Sequence, residues 1–510
     1  MKRNKVLQIA DKPTLDKILD YTRRIDAGIF NAQSLDWGAY FSSRATGEVF
    51  STKFYKQSVS DTVIGERLND SVGKTCEPST DTVKGRDDFA PYNAFWFTDC
   101  NFIVNDAGVK IPTYIDGQGG FSRTGKVDVG VLTPPLYYGI QQVSDGEIWH
   151  LSDSPHPELG LVLMPHCKDA KGNPLPYGII TKYYAGTIDG VFYSSSGLPV
   201  SNFTSYQSLR TAMQKKGAGY TGSGSERSIF LITMLRIKYA TSSSQKIFAG
   251  YTNYSYQYKV SQASTGNYVV LTKAQAANFL IGSVVSIGDP VANTNIDRGN
   301  AYMRNLADKV MITKVEAVDA TYSRVYVDAP SMIVTATSYI STMPLYSGQT
   351  DSVLGNDGSM TSNTDNRHSY KLQGVEDSIG AYMVSSNEVM YKETAEKTIF
   401  YAKAGADYTT DLATFQNTWK KIGEFTSTGS ADIWIGEINV DLETGAHMIR
   451  TIGNGSASGT GDRYYFGGDS IGLREHLSRG SLGSGANAGL SFLNGGNGLS
   501  IAWWNCAVCV

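Results

Sequence analysis

Six histidines and five cysteines are the side chains best suited to metal or nucleophilic chemistry, and their spacing sets the first limits. His150, His156 and His166, with Cys167 adjoining, are the densest group, yet the intervals fit no zinc pattern. Pro155 and Pro157 flank His156, so a stiff structural loop is expected there. Cys506 and Cys509 form one C-x-x-C with no second pair, while Cys76, Cys100 and Cys167 stand alone, as small buried hydrophobes do. Asp351, Asn356, Asp357, Gly358 and Asp365 offer calcium-type oxygens without the spacing of a calcium loop, and a turn cluster is expected instead. No Gly-x-Ser-x-Gly, phosphate loop or His-Glu-x-x-His occurs. The chain is therefore expected not to be an enzyme, with no catalytic residue, metal or cofactor.

Recognition chemistry is concentrated instead between Gly461 and Val510. Short apolar runs (Leu490, Phe492, Leu493; Leu499, Ile501, Trp503, Trp504) are separated by Gly, Ser and Asn, which implies short strands and tight loops. Asn and Ser side chains both donate and accept hydrogen bonds. Mixed with a few rigid apolar anchors, they have the composition of a binding surface. Leu482, Ser484, Asn487, Ser491, Phe492, Asn494, Asn497, Leu499 and Trp503 are the expected ligand-binding residues. A glycine-rich sheet core with polar turns has the same composition, and composition alone leaves the two readings open.

The elements that must position these loops can be read in outline. At 510 residues the chain exceeds one ordinary core, so roughly two to four domains are expected. Charged residues make up 18%, below the usual figure of about 25%, while 53 glycines and 31 tyrosines favour a β- and loop-rich chain. A net charge of −3 gives no footprint for nucleic acid or an anionic membrane. The start lacks the apolar region of a signal peptide, and no run of about 18 apolar residues occurs, so no membrane insertion is expected.

Leu15, Ile18, Leu19 and Ile25 make a short helical stripe, to be packed on the protein's own body or on a neighbouring subunit. Residues 29–110 are aromatic-rich without a helical period, and Ser58–Asp88 reads as a long loop or arm. Strands are expected at Val127–Leu132, Leu136–Tyr138, Ile148–Trp149 and Ile179–Tyr184. Helices are expected over Ser205–Lys216, closed by Gly217, and over Glu226–Ala240, with one wide apolar face and Ser223 or Ser225 as N-cap. Beyond residue 250, β-runs at Tyr256–Val260, Tyr268–Leu271, Val284–Ile287 and Arg324–Val327 have the texture of a small barrel.

Two blocks carry a family resemblance. The first is Arg479-Gly480-Ser481, Gly485 to Leu490 and Ser500-Ile501-Ala502-Trp503-Trp504-Asn505; the second is Leu372, Gly374, Val375, Glu376, Asp377, Ile379 and Gly380. In order and spacing they resemble the C-type-lectin-like domain of the formylglycine-generating-enzyme type, as in phage receptor-binding proteins and the variable proteins of diversity-generating retroelements. Leu482 stands where the family has an aromatic residue, and Cys506-Ala507-Val508 replaces its usual ending. The resemblance thus bears on fold more than on any inherited activity, and the Glu-Pro-Asn and Trp-Asn-Asp motifs of calcium-dependent sugar binding are absent.

It implies a β-rich α+β fold: an N-terminal attachment or oligomer-contact region (1–110), a lectin-like domain in two parts (111–249 and 341–510), and a small β-barrel inserted between them (250–340). It further implies a virion protein, such as a tail fibre, made in the host cytoplasm. Such a protein binds a bacterial surface receptor, glycan or protein, through the C-terminal loops, meets other virion proteins through its N-terminal region, and is a homotrimer. A structural particle protein using the same fold for assembly contacts is the alternative, with a surface-glycan depolymerase as a third reading.

Overall fold

Helix Ser225–Lys238 is enclosed along its whole length, every residue except Glu226 being buried. An amphipathic helix with one apolar face was the expectation; a helix covered on all sides must instead find partners for each of its charges. Its N-cap is Gly224 rather than a serine, because a Cβ there would lie 2.0 Å from Asn387 Oδ1. Ser225 Oγ donates instead to the Thr444 carbonyl at 2.6 Å.

The computed structural model describes residues 35–290, 295–405, 408–427, 432–467 and 470–510. The helical stripe expected at Leu15–Ile25 lies outside them. Strands account for 38% and helix for 13%, which makes the fold a β-rich α+β one. Four sheets contribute strands to the packing around the central helix. A five-stranded antiparallel sheet runs in the order Glu66–Asn69, Phe50–Tyr55, Gly146–Ser152, Tyr137–Val143, Val162–Leu163. A four-stranded sheet contains Lys110–Ile115, Thr98–Val104, Asp128–Thr133 and Gly178–Thr181, and a three-stranded one holds Tyr370–Leu372 and Val375–Asp377. The largest sheet is nine-stranded, with Tyr382–Lys392, Gly472–Arg479 and Gly489–Asn494 side by side at its middle. A second helix, Tyr206–Gln214, starts on a capping box between Ser205 and Ser208, close to the expected boundary.

Residues 257–343 form a separate six-stranded sheet. A bridge between Gln262 and Val270 brings its last strand, Tyr268–Thr272, back beside the chain leaving its first, Gln257–Lys259, so the sheet nearly closes into a barrel. Leu271, Val285, Ile287, Ile312, Val325 and Ile340 fill its interior. Its two ends meet where Thr342 N donates to the Tyr256 carbonyl at 2.9 Å, the geometry that lets an insertion leave its host intact.

Residues 35–110, read from sequence as part of an attachment region, are built into the body. Phe50, Phe54, Phe89 and Phe95 belong to the main core, and Trp37, Tyr40 and Phe41 pack with Cys100, Phe102 and Leu132. The absence of a helical period there reflects short strands and turns that bury aromatic rings, while Ser58–Asp88 is largely the long loop expected, with one short strand at Glu66–Asn69. Among the described residues no helix is long and apolar enough to cross a membrane.

The two motif blocks meet at Arg479, whose Nε donates to Asp377 Oδ2 at 2.7 Å with both side chains fully buried. Arg479 Nη1 also reaches the Leu490 carbonyl at 3.0 Å, and Nη2 reaches Ser228 Oγ of the central helix at 3.3 Å. Arg479 holds φ at +79°, a region a non-glycine residue resists, so these bonds also hold strained backbone in place. Replacing Asp377 by alanine would leave a buried guanidinium unpaired, which should cost about 3–5 kcal/mol in denaturant unfolding. Glu316→Ala, which breaks the exposed ion pair with Lys314, should by contrast leave the unfolding midpoint almost where it was. An Asp377→Ala midpoint equal to wild type would show the buried pair to be inessential.

Candidate ligand-binding face

Strand Gly472–Arg479 turns back on itself through Gly480, whose φ is +98° and whose Cβ would lie 2.5 Å from that of Ala488. The chain then forms the turn 481–488, strand Gly489–Asn494, and the loop 495–505, before Cys506–Ala507 pairs in parallel with Tyr382 and Met383. Gly489–Asn494 lies between two strands with the central helix against it, so every residue up to Leu493 is buried.

That placement corrects part of the expected site. Ser491 and Phe492 are inside this strand; Ser491 N donates to Asp462 Oδ2 at 2.8 Å, and Phe492 stacks on Tyr382. Leu482 is buried among Tyr184, Tyr251 and Tyr254, and Leu499 among Tyr206, Leu209 and Cys506. These four side chains shape the loops from within and offer nothing to a ligand outside. The short strand expected at Leu490–Leu493 is present, but because it is covered on both faces its Ser491 and Phe492 side chains are enclosed rather than exposed.

Ser484, Asn487, Asn494 and Asn497 are partly exposed. Ser484 Oγ accepts from Ser481 N at 2.9 Å, and Asn494 Oδ1 accepts from Gly496 N at 2.7 Å. Asn497 Nδ2 makes a long contact of 3.5 Å with Glu475 Oε2. The Asn487 amide has no side-chain hydrogen bond among the described residues, which leaves it for an outside partner.

Trp503 is 41% exposed, and its ring packs over Gly299 of the barrel, where a Cβ would stand 3.3 Å away. Beside it, the buried Arg298 guanidinium lies 4.9 Å from the Trp504 ring centroid, and Arg298 Nη1 donates to Ser255 Oγ at 3.1 Å. Burial lowers the Arg298 pKa to about 10, which keeps the group charged at neutral pH. Ser255 in turn lies against Gly483, next to Ser484. The same barrel segment exposes Ile296 (42%) and Tyr302 (51%), and Ile501 (37%) adds to the apolar surface. One face thus joins the turn 481–487, the loop 498–505 and the barrel segment 295–304.

Ile296, Arg298 and Tyr302 were missed in the sequence. Asn295 to Tyr302 has the same blend of Gly, Asn and Asp with one aromatic as the C-terminal loops, and that likeness was the available signal. Nothing in local composition could show that the two segments touch. Chemically the face offers ring surface for stacking and a few amide and hydroxyl groups for orientation. The two cysteines that follow the loop are buried, which raises the Cys506 thiol far above its usual range and Cys509 to about 11.

The other expected chemical groups are spent on structure. His150 Nδ1 meets Ser51 Oγ at 2.7 Å, and His156 pairs with Glu158 at 2.8 Å. The Asp-rich loop disperses its oxygens: Asp351 to Tyr183 and Ser196, Asp365 to His368, Asp357 to Lys238. Cys76, Asp87 and Asp357 do converge within 4.8 Å, but Lys238 Nζ already bridges both carboxylates, at 3.0 and 2.5 Å, and supplies the positive charge. No family model matches the chain, and no curated protein matches it.

Glu475 supports the loop from beneath, taking a hydrogen bond from Tyr206 N at 2.7 Å, and its own N–H donates to the Asn497 carbonyl at 2.9 Å. Burial pushes its carboxyl up to about 8, against the lowering effect of those donors. An unfolded glutamate releases its proton near 4.5. The folded state therefore binds more protons than the unfolded one between these values, and stability falls as pH rises through the window. Glu475→Gln should remove this slope, worth up to about 1.4 kcal/mol per pH unit. Its Tm relative to wild type should climb between about pH 5 and about pH 8; parallel curves would mean that Glu475 is ionised in the fold.

Proposed function

We propose that this chain is a virion receptor-binding protein of C-type-lectin-like fold, adhering to a bacterial surface ligand through the composite face around Trp503. The carrying observation is the exposed Trp503 ring packed over Gly299, with Ile296 and Tyr302 exposed on the same barrel segment and Asn487 partly exposed on the turn 481–487. A clustered aromatic surface on a rigid frame is the usual form of a binding hot spot. The buried Arg479–Asp377 contact supports the lectin-like reading, since it joins the two blocks on which the resemblance rests. In this reading the chain acts as a homotrimer on the particle surface, and the N-terminal region meets other virion proteins. Several weak faces then act together by avidity.

The same apolar face also suits an assembly contact, and one experiment separates the two. Trp503→Ala and Tyr302→Ala should each lower adsorption to host cells by about 30-fold, the scale of a hot-spot residue, while particle number and Tm stay at wild-type values. Failed assembly with these variants would favour the structural role, and unchanged adsorption would remove the face from recognition altogether.

A further inference from the structure

A cleft of about 560 Å³ opens elsewhere on the body, walled by residues 106–110, 165–177, 218–226, 386–387, 404–405 and 443–444. Its volume falls within the range of about 300–1,000 Å³ usual for small-molecule sites. Three lysines line it: Lys171 is exposed, while Lys110 and Lys168 are half-buried, and neither of those two forms an ion pair among the described residues. The Lys110 ammonium has one hydrogen bond, a long one of 3.3 Å to Thr181 Oγ1. Burial holds both lysines below their ordinary pKa, the condition of an ammonium short of a counter-charge.

His166 lines the same cleft and is only 7% exposed. Its Nε2 meets Thr133 Oγ1 at 3.2 Å, while Nδ1 has no partner. The Thr133 hydroxyl also lies 3.0 Å from the Pro134 carbonyl, which holds the His166 ring against the wall. Burial and the nearby Lys110 charge lower the imidazole to about 3, so it stays neutral. The remaining wall adds four carboxylates: Asp106, Asp169, whose oxygens take Lys171 N and both Asn173 nitrogens, Glu226, and Glu443, whose charge is already answered by Lys420 at 2.8 Å. An unanswered ammonium among acceptors suits a ligand with a single carboxylate and several hydroxyls. A dianion such as phosphate would meet the flanking carboxylates and bring no hydroxyls to satisfy them.

We propose that this cleft binds an acidic sugar of the uronic acid kind, its carboxylate on Lys110 and Lys168 and its hydroxyls on the wall carboxylates Asp106 and Glu226. The site is separate from the Trp503 face and stands whether or not that face binds a receptor. Calorimetric titration of the full chain with D-glucuronate, D-glucose and inorganic phosphate tests it. Glucuronate should bind about tenfold or more tighter than either of the others, and Trp503→Ala should leave that affinity unchanged. Lys110→Gln should weaken glucuronate about tenfold or more with Tm unchanged or raised, since it removes a poorly compensated charge. Lys168→Gln should weaken it as well and decides the matter alone if Lys110→Gln does not fold. Equal affinity for glucose or phosphate, or glucuronate binding indifferent to Lys168→Gln, would overturn the assignment.

Discussion

A carboxylate and a guanidinium cut off from water, Asp377 and Arg479, set the condition that the rest of the structure has to meet. Removing each ion from water costs several kcal/mol, recovered only where the surrounding polar groups are complete. Here they are complete. Asp377 Oδ1 takes Ser378 N at 2.7 Å and Tyr184 OH at 3.2 Å, while Arg479 turns its other nitrogens to Leu490 and Ser228. Burial would raise the Asp377 carboxyl, but Arg479 and Arg227 hold it below the usual carboxylate range. The partners lie 102 residues apart, so the two motif blocks cannot settle independently.

The central helix extends the same logic across the molecule. Arg227 donates to the carbonyls of Thr181 and Glu376, Arg236 pairs with Glu147 while lying 4.2 Å from the Trp149 ring centroid, and Lys238 joins Asp87, Asp357 and Gln373. Each cation is answered by a different part of the chain. Apolar residues could pack such a helix with comparable stability, but they would tolerate rotation or sliding. Charges with fixed partners do not, because any shift leaves one of them buried and alone. The arrangement therefore specifies how the surrounding sheets are disposed about the helix.

This interior explains which parts of the fold were legible. Val284–Gly288 and Tyr322–Val327 of the barrel could be read because a small closed sheet has an inside and an outside, and the second of these strands alternates between them. The helix Tyr206–Gln214 was legible through its Leu209–Met213 stripe and the Gly217 that follows it. The burial of both faces of Gly489–Asn494 and the packing of residues 35–110 were not, since a strand covered on both faces has no outward side to read and short turns never had a period. At the candidate face Trp503 and Asn487 were identifiable from residue type, while Leu482 and Phe492 have the same character and point inward. Type alone cannot choose a face. Ile296 and Tyr302 needed a contact between segments some 200 residues apart, as the pairing of Gly299 with Trp503 makes plain.

The exposed loop is nonetheless far from free. Gln207 N donates to the Leu499 carbonyl at 2.9 Å, Phe203 N to Trp503 at 3.1 Å, and Asn202 Nδ2 to Trp504 at 2.8 Å, so the segment leading into helix Tyr206–Gln214 pins the loop from one side. The barrel pins it from the other through Arg298 and Gly299, and Lys309 Nζ reaches Asn202 Oδ1 at 3.2 Å. A loop held in this way has lost most of its conformational freedom before any ligand arrives, which lowers the entropic cost of binding. The inserted barrel is thus more than a spacer. It fixes the orientation of both tryptophans and contributes its own apolar residues to the same surface, so the geometry of the face belongs jointly to the insertion and to its host.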